Sequence, residues 1–295
     1  MISRAGIDRE IAEYGKESML YRIRVLGLPP DGGTDTVIPR KFIDAARAVC
    51  GKIDGEVQKF QPCAGIDVSG EGEDRDVVAV VRNHHLSIEH YGAGDPTDSG
   101  FVSTCAEIFQ EKNIRLAYID AGGVGQYLCP SLENRGFSQR VYRFHFGSPS
   151  FSEEIRAKQQ KVLRERKQKV LSQSPSSGEQ YENKITEAYF LMRTALRYAS
   201  EHPFSGITLE DREDLLDQLA SRRFEISPRT KKIRLEPKEK MRSRGEKSPD
   251  LADAAVLALA AYTRRNALRW DGEEKKKDTL PRHGTVETIR MDKVF

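Results

Sequence analysis

Residues 64–91 read AGIDVSGEGEDRDVVAVVRNHHLSIEHY, and their pattern decides the fold. The apolar run Ala64–Val68 predicts a short strand, and an acidic turn separates it from the β-branched run Val77–Arg82. Leu86–Tyr91 alternates apolar and polar side chains, as a half-exposed strand does. Asn83-His84-His85 between the last two runs predicts a hairpin, so three strands form an antiparallel meander. His84, His85 and His90 are explained by alternation and exposure around that hairpin, with no metal.

Downstream, the periodicity changes. Phe101–Gln110 has helical spacing, Leu116–Ile119 predicts a buried strand, and a glycine-rich turn leads into a helix over Gly125–Arg135. Arg140–Phe144 gives a fifth strand. The order β-β-β-α-β-α-β predicts an α/β fold with a mixed five-stranded sheet flanked by helices. Beyond residue 150 the sequence predicts a charged helix (Ser152–Leu171), a Ser/Pro/Gly loop (Ser172–Gly178), and helices near Tyr181–Ser200 and Leu209–Arg222. Two short strands, Phe224–Ser227 and Lys232–Glu236, make a hairpin. An alanine-rich helix then runs to about Asn266, with Ser248 as its N-cap and Pro249 in its first position. These add a C-terminal helical and β-hairpin elaboration. Residues 1–60 hold too little apolar surface for a domain and are expected to be a connector packed on a main domain of residues 61–270. Residues 271–295 form a charged tail with the composition of disorder, and Trp270 beside it carries no signal.

The chain has 295 residues and a formal charge of +3, which conceals an asymmetry. Residues 1–150 sum to −4 and residues 151–295 to +7. An acidic half joined to a basic half suggests anionic chemistry handled by two unequal surfaces. A membrane role is not expected: the longest apolar run, Leu251–Tyr262, contains Asp253 and falls short of the ~20 residues needed to span. Met1–Glu17 lacks the apolar core of a secretory signal. Cys50, Cys63, Cys105 and Cys129 are too scattered for a zinc knuckle or a disulfide framework, so reduced thiols and a cytoplasmic location are expected.

Four carboxylates stand where elements end and side chains converge. Asp67 lies in the first strand, in Gly65-Ile-Asp67-Val-Ser-Gly70, and Asp120 ends the fourth, in Ile119-Asp120-Ala-Gly-Gly-Val-Gly125. Asp250 and Asp253, three residues apart, share one face of the last helix. With strands one and four adjacent, Asp67 and Asp120 would sit side by side. An aspartate among apolar residues is costly unless something pairs with it. Two hard divalent cations, Mg²⁺ or Mn²⁺, about 4 Å apart would do so and could activate water against a phosphodiester. Taken singly, Asp67 could be an edge residue, Asp120 a helix cap and Asp250 a complement to the helix dipole. Gly122-Gly123-Val-Gly125 is not a dinucleotide-binding loop, because Leu128 stands where the third glycine belongs.

The chain resembles the C-terminal nuclease domain of tailed-phage terminase large subunits, which adopt an RNase H-like fold. Ile11–Ser18 with Tyr21–Pro29 looks like the family's connector, Gly65–Arg75 like its first nuclease motif, and Ile119–Gly125 like its second. Lys238–Gly245 with Ser248–Ala254 looks like the third. The resemblance implies a metal-dependent endonuclease that cuts concatemeric double-stranded DNA during genome packaging. Its partners would be the terminase ATPase domain, the small terminase subunit and the portal, in the host cytoplasm. Asp67, Asp120 and Asp253 match the metal-binding acids, Asp250 a more variable position, and Asp74 an acid that could support the first motif. The chain contains no G-x-x-x-x-G-K-[ST], so no ATPase is expected in it.

Two segments concentrate positive charge, Arg156–Lys169 and Arg229–Lys247, each with a net of +6. The second precedes the acidic helix, and Lys231, Lys232, Arg234, Lys238, Lys240, Arg242 and Arg244 are its candidate contacts to the DNA backbone. Two other functions fit parts of the pattern. One is a non-catalytic DNA-binding or docking module whose acids only stabilise the sheet. The other is an actin-like kinase, which needs two copies of such a fold.

Overall fold

A computed structural model describes residues 36–48, 60–69, 75–93, 99–123, 125–151, 180–203, 205–268 and 270, with isolated positions before 28. Helix α1 (Arg40–Ala48) precedes strands β1 (Cys63–Asp67), β2 (Arg75–Arg82) and β3 (His85–Ala93). Helix α2 (Ser99–Glu111), strand β4 (Leu116–Asp120), helix α3 (Gly125–Leu132) and strand β5 (Val141–Phe144) follow. Then come α4 (Lys184–Glu201), β6 (Thr208–Leu209), α5 (Glu213–Ser221), β7 (Phe224–Ile226), β8 (Ile233–Leu235), α6 (Lys238–Ser243) and α7 (Asp250–Arg265). The expected charged helix, the Ser/Pro/Gly loop, the tail 271–295, Cys50 and Asp74 lie outside the described residues.

The main sheet has the order β5-β4-β1-β2-β3-β6. β1, β2 and β3 form the expected antiparallel meander, while β4 and then β5 add in parallel on the far side of β1. Asn83 and His84 turn the β2–β3 hairpin with positive φ values of 49° and 60°, the backbone twist that a two-residue hairpin favours. One strand was not expected: β6 is two residues long and pairs in parallel with β3. It takes Leu209, so the helix expected from Leu209 begins at Glu213.

Alternation along β2 shows why both sheet faces are covered. Val77, Ala79 and Val81 enter a core with α4 and α7, whereas Val78 and Val80 enter a second core with α2 and α3. Every residue of α7 from Asp250 to Tyr262 is buried, because the helix lies between the sheet and helices α4 and α5. A helix enclosed on all sides needs no polar face, which accounts for its run of alanines.

Ser248 is not the N-cap of α7. Pro249 occupies that place with no side-chain cap, and the Ala252 amide instead donates to Gln218 Oε1 of α5 at 3.1 Å. A packed neighbour thus satisfies the donor that a local cap would have taken. Trp270 also departs from its reading. Past a left-handed Ala267 the chain folds back, leaving Trp270 5% exposed with its Nε1 donating to Thr263 Oγ1 at 3.0 Å. Its ring meets His84 edge-on at 5.5 Å, and Phe60 approaches His84 from another side at 4.4 Å. Val37, Ile38, Ile43 and Ala46 place residues 36–48 in the main core, against α4 and α5. No described helix is long and apolar enough to cross a membrane.

Candidate functional site

Asp67 is the last residue of β1, and Asp120 is the last residue of the adjacent parallel strand β4. Ile66 pairs with Ile119, so the two aspartates leave the sheet at the same level on neighbouring strands, which lie about 4.8 Å apart. Helix α7 delivers the others. It crosses β1 at Gly65, where a Cβ would stand 2.1 Å from the Ala254 carbonyl oxygen and 2.2 Å from the Ala258 nitrogen. Only glycine lets the helix backbone rest on the strand, and that contact sets Asp253 beside Asp67 with Asp250 one turn earlier.

Each carboxylate has a distinct set of partners. Asp253 is completely buried, and its Oδ1 accepts a 2.6 Å hydrogen bond from the Tyr189 hydroxyl of α4. Its Oδ2 lies 3.3 Å from Lys238 Nζ and accepts no hydrogen bond. Asp250 accepts from the Arg75 amide at 2.9 Å. Asp120 accepts from the Gly122 amide at 2.9 Å, which fixes the glycine turn and does not cap α3. Gly125 starts α3 where a Cβ would meet the Asp120 carbonyl oxygen at 1.8 Å. Burial pushes the Asp67 carboxyl well above its ordinary range, and Asp253 adds to this, as do Asp120 and Asp250, while Lys238 opposes it. Asp120 is likewise raised by burial, and Lys238 is raised chiefly by Asp253.

Among the described residues, Lys238 is the cation that acts on Asp67, Asp120 and Asp253, with His145 also acting on Asp120. The donors are all oxygen, one buried oxygen has no hydrogen bond, and Asp67 is held toward its protonated form. That is the signature of a site short of positive charge, and hard divalent cations suit its ligands. Among the described residues no three His, Cys, Asp or Glu side chains are already closed around one point.

Of the other residues singled out from the sequence, Asp74 lies outside the described residues. Asp76, buried in β2, accepts from the Ser69 amide at 2.8 Å and the Ser69 hydroxyl at 3.1 Å, tying down the chain that leaves Asp67. The Arg156–Lys169 segment is outside the described residues as well. Within Arg229–Lys247, Lys238 enters the site. Arg234 and Lys240 pair with Glu225 at 2.5 and 2.7 Å, and Arg244 pairs with buried Glu236 at 2.7 Å. Lys231 and Arg242 are exposed, and Lys232 is half-buried. Tyr189 and Asp76 escaped the sequence reading; their only signal was a polar group at an inward-facing position of a helix or strand.

No family model matches the sequence, and no curated protein matches it. Solved structures do. The chain is similar to the nuclease domain of the large terminase subunit gp2 of bacterial virus Sf6, at 18% identity and a TM-score of 0.58, over 76% of this chain and 98% of that one. A mutant gp2c of the bacteriophage Sf6 large terminase subunit with calcium gives 18% identity and a TM-score of 0.58, over 76% of this chain and 99% of the other. The large terminase nuclease of thermophilic phage G20c matches at 14% identity and a TM-score of 0.43, over 69% and 83% of the two chains. The fold is the RNase H-like one expected from the sequence.

Proposed function

We propose that the chain is a divalent-metal-dependent DNA endonuclease of the kind carried by phage packaging terminases. One observation carries this: three separate elements bring Asp67, Asp120 and Asp253 to one end of the sheet, with Lys238 among them. The similar Sf6 domain is a terminase nuclease, and a mutant of it has been seen with calcium and with manganese. Residues 61–270 would be the nuclease unit, with residues 1–60 as its connector segment.

Asp67, Asp120 and Asp253 would hold two Mg²⁺ or Mn²⁺ ions, with Asp250 alongside, one of its oxygens already committed to Arg75. When bound, such ions supply an activated water and stabilise the charge developing on the scissile phosphate. The chain's own part is to hold the ligands rigidly. Asp120 is fixed by its turn, Asp253 by Tyr189, and the strand end at Asp67 by the Asp76–Ser69 bonds. Lys238 keeps the carboxylates together when no ion is present. Exposed Lys231 and Arg242 remain candidate contacts to the phosphate backbone of double-stranded DNA, whereas Arg234, Lys240 and Arg244 serve internal carboxylates. The small terminase subunit and the portal would be partners in the packaging complex.

Incubation of the purified chain with supercoiled plasmid and Mn²⁺ tests the proposal. Nicking and linearisation are expected with Mn²⁺, none with EDTA, and none from a folded Asp120→Ala variant. Equal cutting by that variant would refute the assignment.

A further inference from the structure

We propose that Tyr189 is a positioning residue for the metal centre, fixing which oxygen of Asp253 faces the ions, and that buried Arg222 supports it. This rests on the metal-dependent reading above.

Tyr189 is fully buried in α4, and its hydroxyl donates to Asp253 Oδ1 at 2.6 Å. A phenol hydroxyl carries its proton at neutral pH, and at this distance from a carboxylate oxygen it acts as the donor. Aspartate χ2 is a broad, soft torsion, so a free carboxylate would present either oxygen. With Oδ1 committed to Tyr189, Asp253 offers Oδ2, the atom that accepts no hydrogen bond and lies toward Lys238.

Arg222 follows α5 and is 4% exposed. Its guanidinium carbon lies 5.7 Å from the centre of the Tyr189 ring, while Nη1 donates to the Glu236 carbonyl at 3.0 Å. Among the described residues no carboxylate forms an ion pair with it. Its charge is thus left to act on Tyr189 and, beyond it, on Asp253, offsetting part of the cost of an ionised carboxylate in the core. A line from Arg222 through Tyr189 to Asp253 links α5, α4 and α7. Partners of metal ligands in this arrangement typically set affinity by about 10–100-fold.

Titration calorimetry with Mn²⁺ on the full chain, parent against Tyr189→Phe, tests the proposal. Mn²⁺ binding about 10-fold weaker is expected, with the thermal transition in EDTA retained. In plasmid cutting, the Mn²⁺ concentration for half-maximal rate should rise by a similar factor, with the rate at saturating Mn²⁺ largely kept. A folded Tyr189→Phe chain that binds Mn²⁺ as the parent does would overturn the inference while leaving the metal-dependent reading standing. A parent that binds no Mn²⁺ would overturn both. If Tyr189→Phe does not fold, Arg222→Gln takes its place: weakened Mn²⁺ binding supports the inference, and unchanged binding overturns it.

Discussion

Gly65 of β1 and Ala254 of α7 approach so closely that a Cβ on the glycine would lie 2.1 Å from the Ala254 carbonyl oxygen. Backbone on backbone leaves no flexible atom to give way, so Gly65→Ala must move the helix. The expected loss is on the order of 3 kcal/mol or more, larger than a typical overpacking because no rotamer relieves it. Because α7 carries Asp253, metal binding should fall with stability. Urea denaturation gives the first quantity and Mn²⁺ titration the second; an unchanged midpoint would contradict the packing.

Asp67 and Asp120 carry a pH dependence with a definite sign. Both are raised above their ordinary values, Asp67 the more strongly. An acid whose native pKa exceeds its unfolded one binds more protons when folded, so its contribution to stability falls as pH rises from the unfolded value of about 3.9 through the native one. In EDTA, the ion-free chain should therefore lose stability from these groups as pH climbs through that window. Asp67→Asn should flatten the loss and raise the melting temperature at neutral pH, by about 2–4 °C if the gain is 1 kcal/mol. Mn²⁺ should stabilise the parent more strongly at higher pH. Melting curves in EDTA and Mn²⁺ across pH read all three effects, and a variant less stable than the parent in EDTA would contradict the account.

Trp270 is the sole tryptophan in the chain, which makes its surroundings directly observable. Packed against His84 and Tyr198, it should emit as a buried indole and shift to the red on unfolding. Trp270→Ala should cost about 3 kcal/mol by emptying that site. Emission typical of a solvated indole in the folded chain would contradict the placement.

The candidate site was legible where a carboxylate ends an apolar run. Asp67 and Asp120 stood out because β1 and β4 are apolar up to their last residue, and the strand order made them neighbours. Asp253 stood out because its immediate neighbours in the helix, Ala252, Ala254 and Ala255, are apolar. Tyr189 was not legible: among Ile185, Ala188 and Met192 it looks like any core aromatic, and only tertiary packing reveals that its hydroxyl meets a carboxylate. Ser248-Pro249 suggested a helix cap from local chemistry, but Gln218, thirty-four residues before Ala252 in sequence, supplies the acceptor. Two-residue β6 has no period to read. The basic run 229–247 gave its charge but not its pairing, because Glu225 and Glu236 reach it only once the β7–β8 hairpin and α6 have formed.

That pairing separates two kinds of arginine variant. Arg244→Ala strands Glu236, which is 5% exposed, and should cost about 2 kcal/mol of stability. Arg242→Ala should leave stability nearly unchanged. If Arg242 meets a DNA phosphate, its loss weakens binding for all sequences and lowers the salt dependence by about one unit of log–log slope. Denaturation and DNA binding at several salt concentrations distinguish the two variants. Equal stability losses would contradict the structural division.

The central claim is that Asp67, Asp120 and Asp253 form a binding site for divalent cations. Anomalous diffraction from crystals of the chain soaked in Mn²⁺ tests it most directly. Peaks are expected within about 2.2 Å of the carboxylate oxygens of all three residues, with Asp253 binding through Oδ2. Manganese found only on surface carboxylates, with Lys238 still paired to Asp253, would contradict the claim.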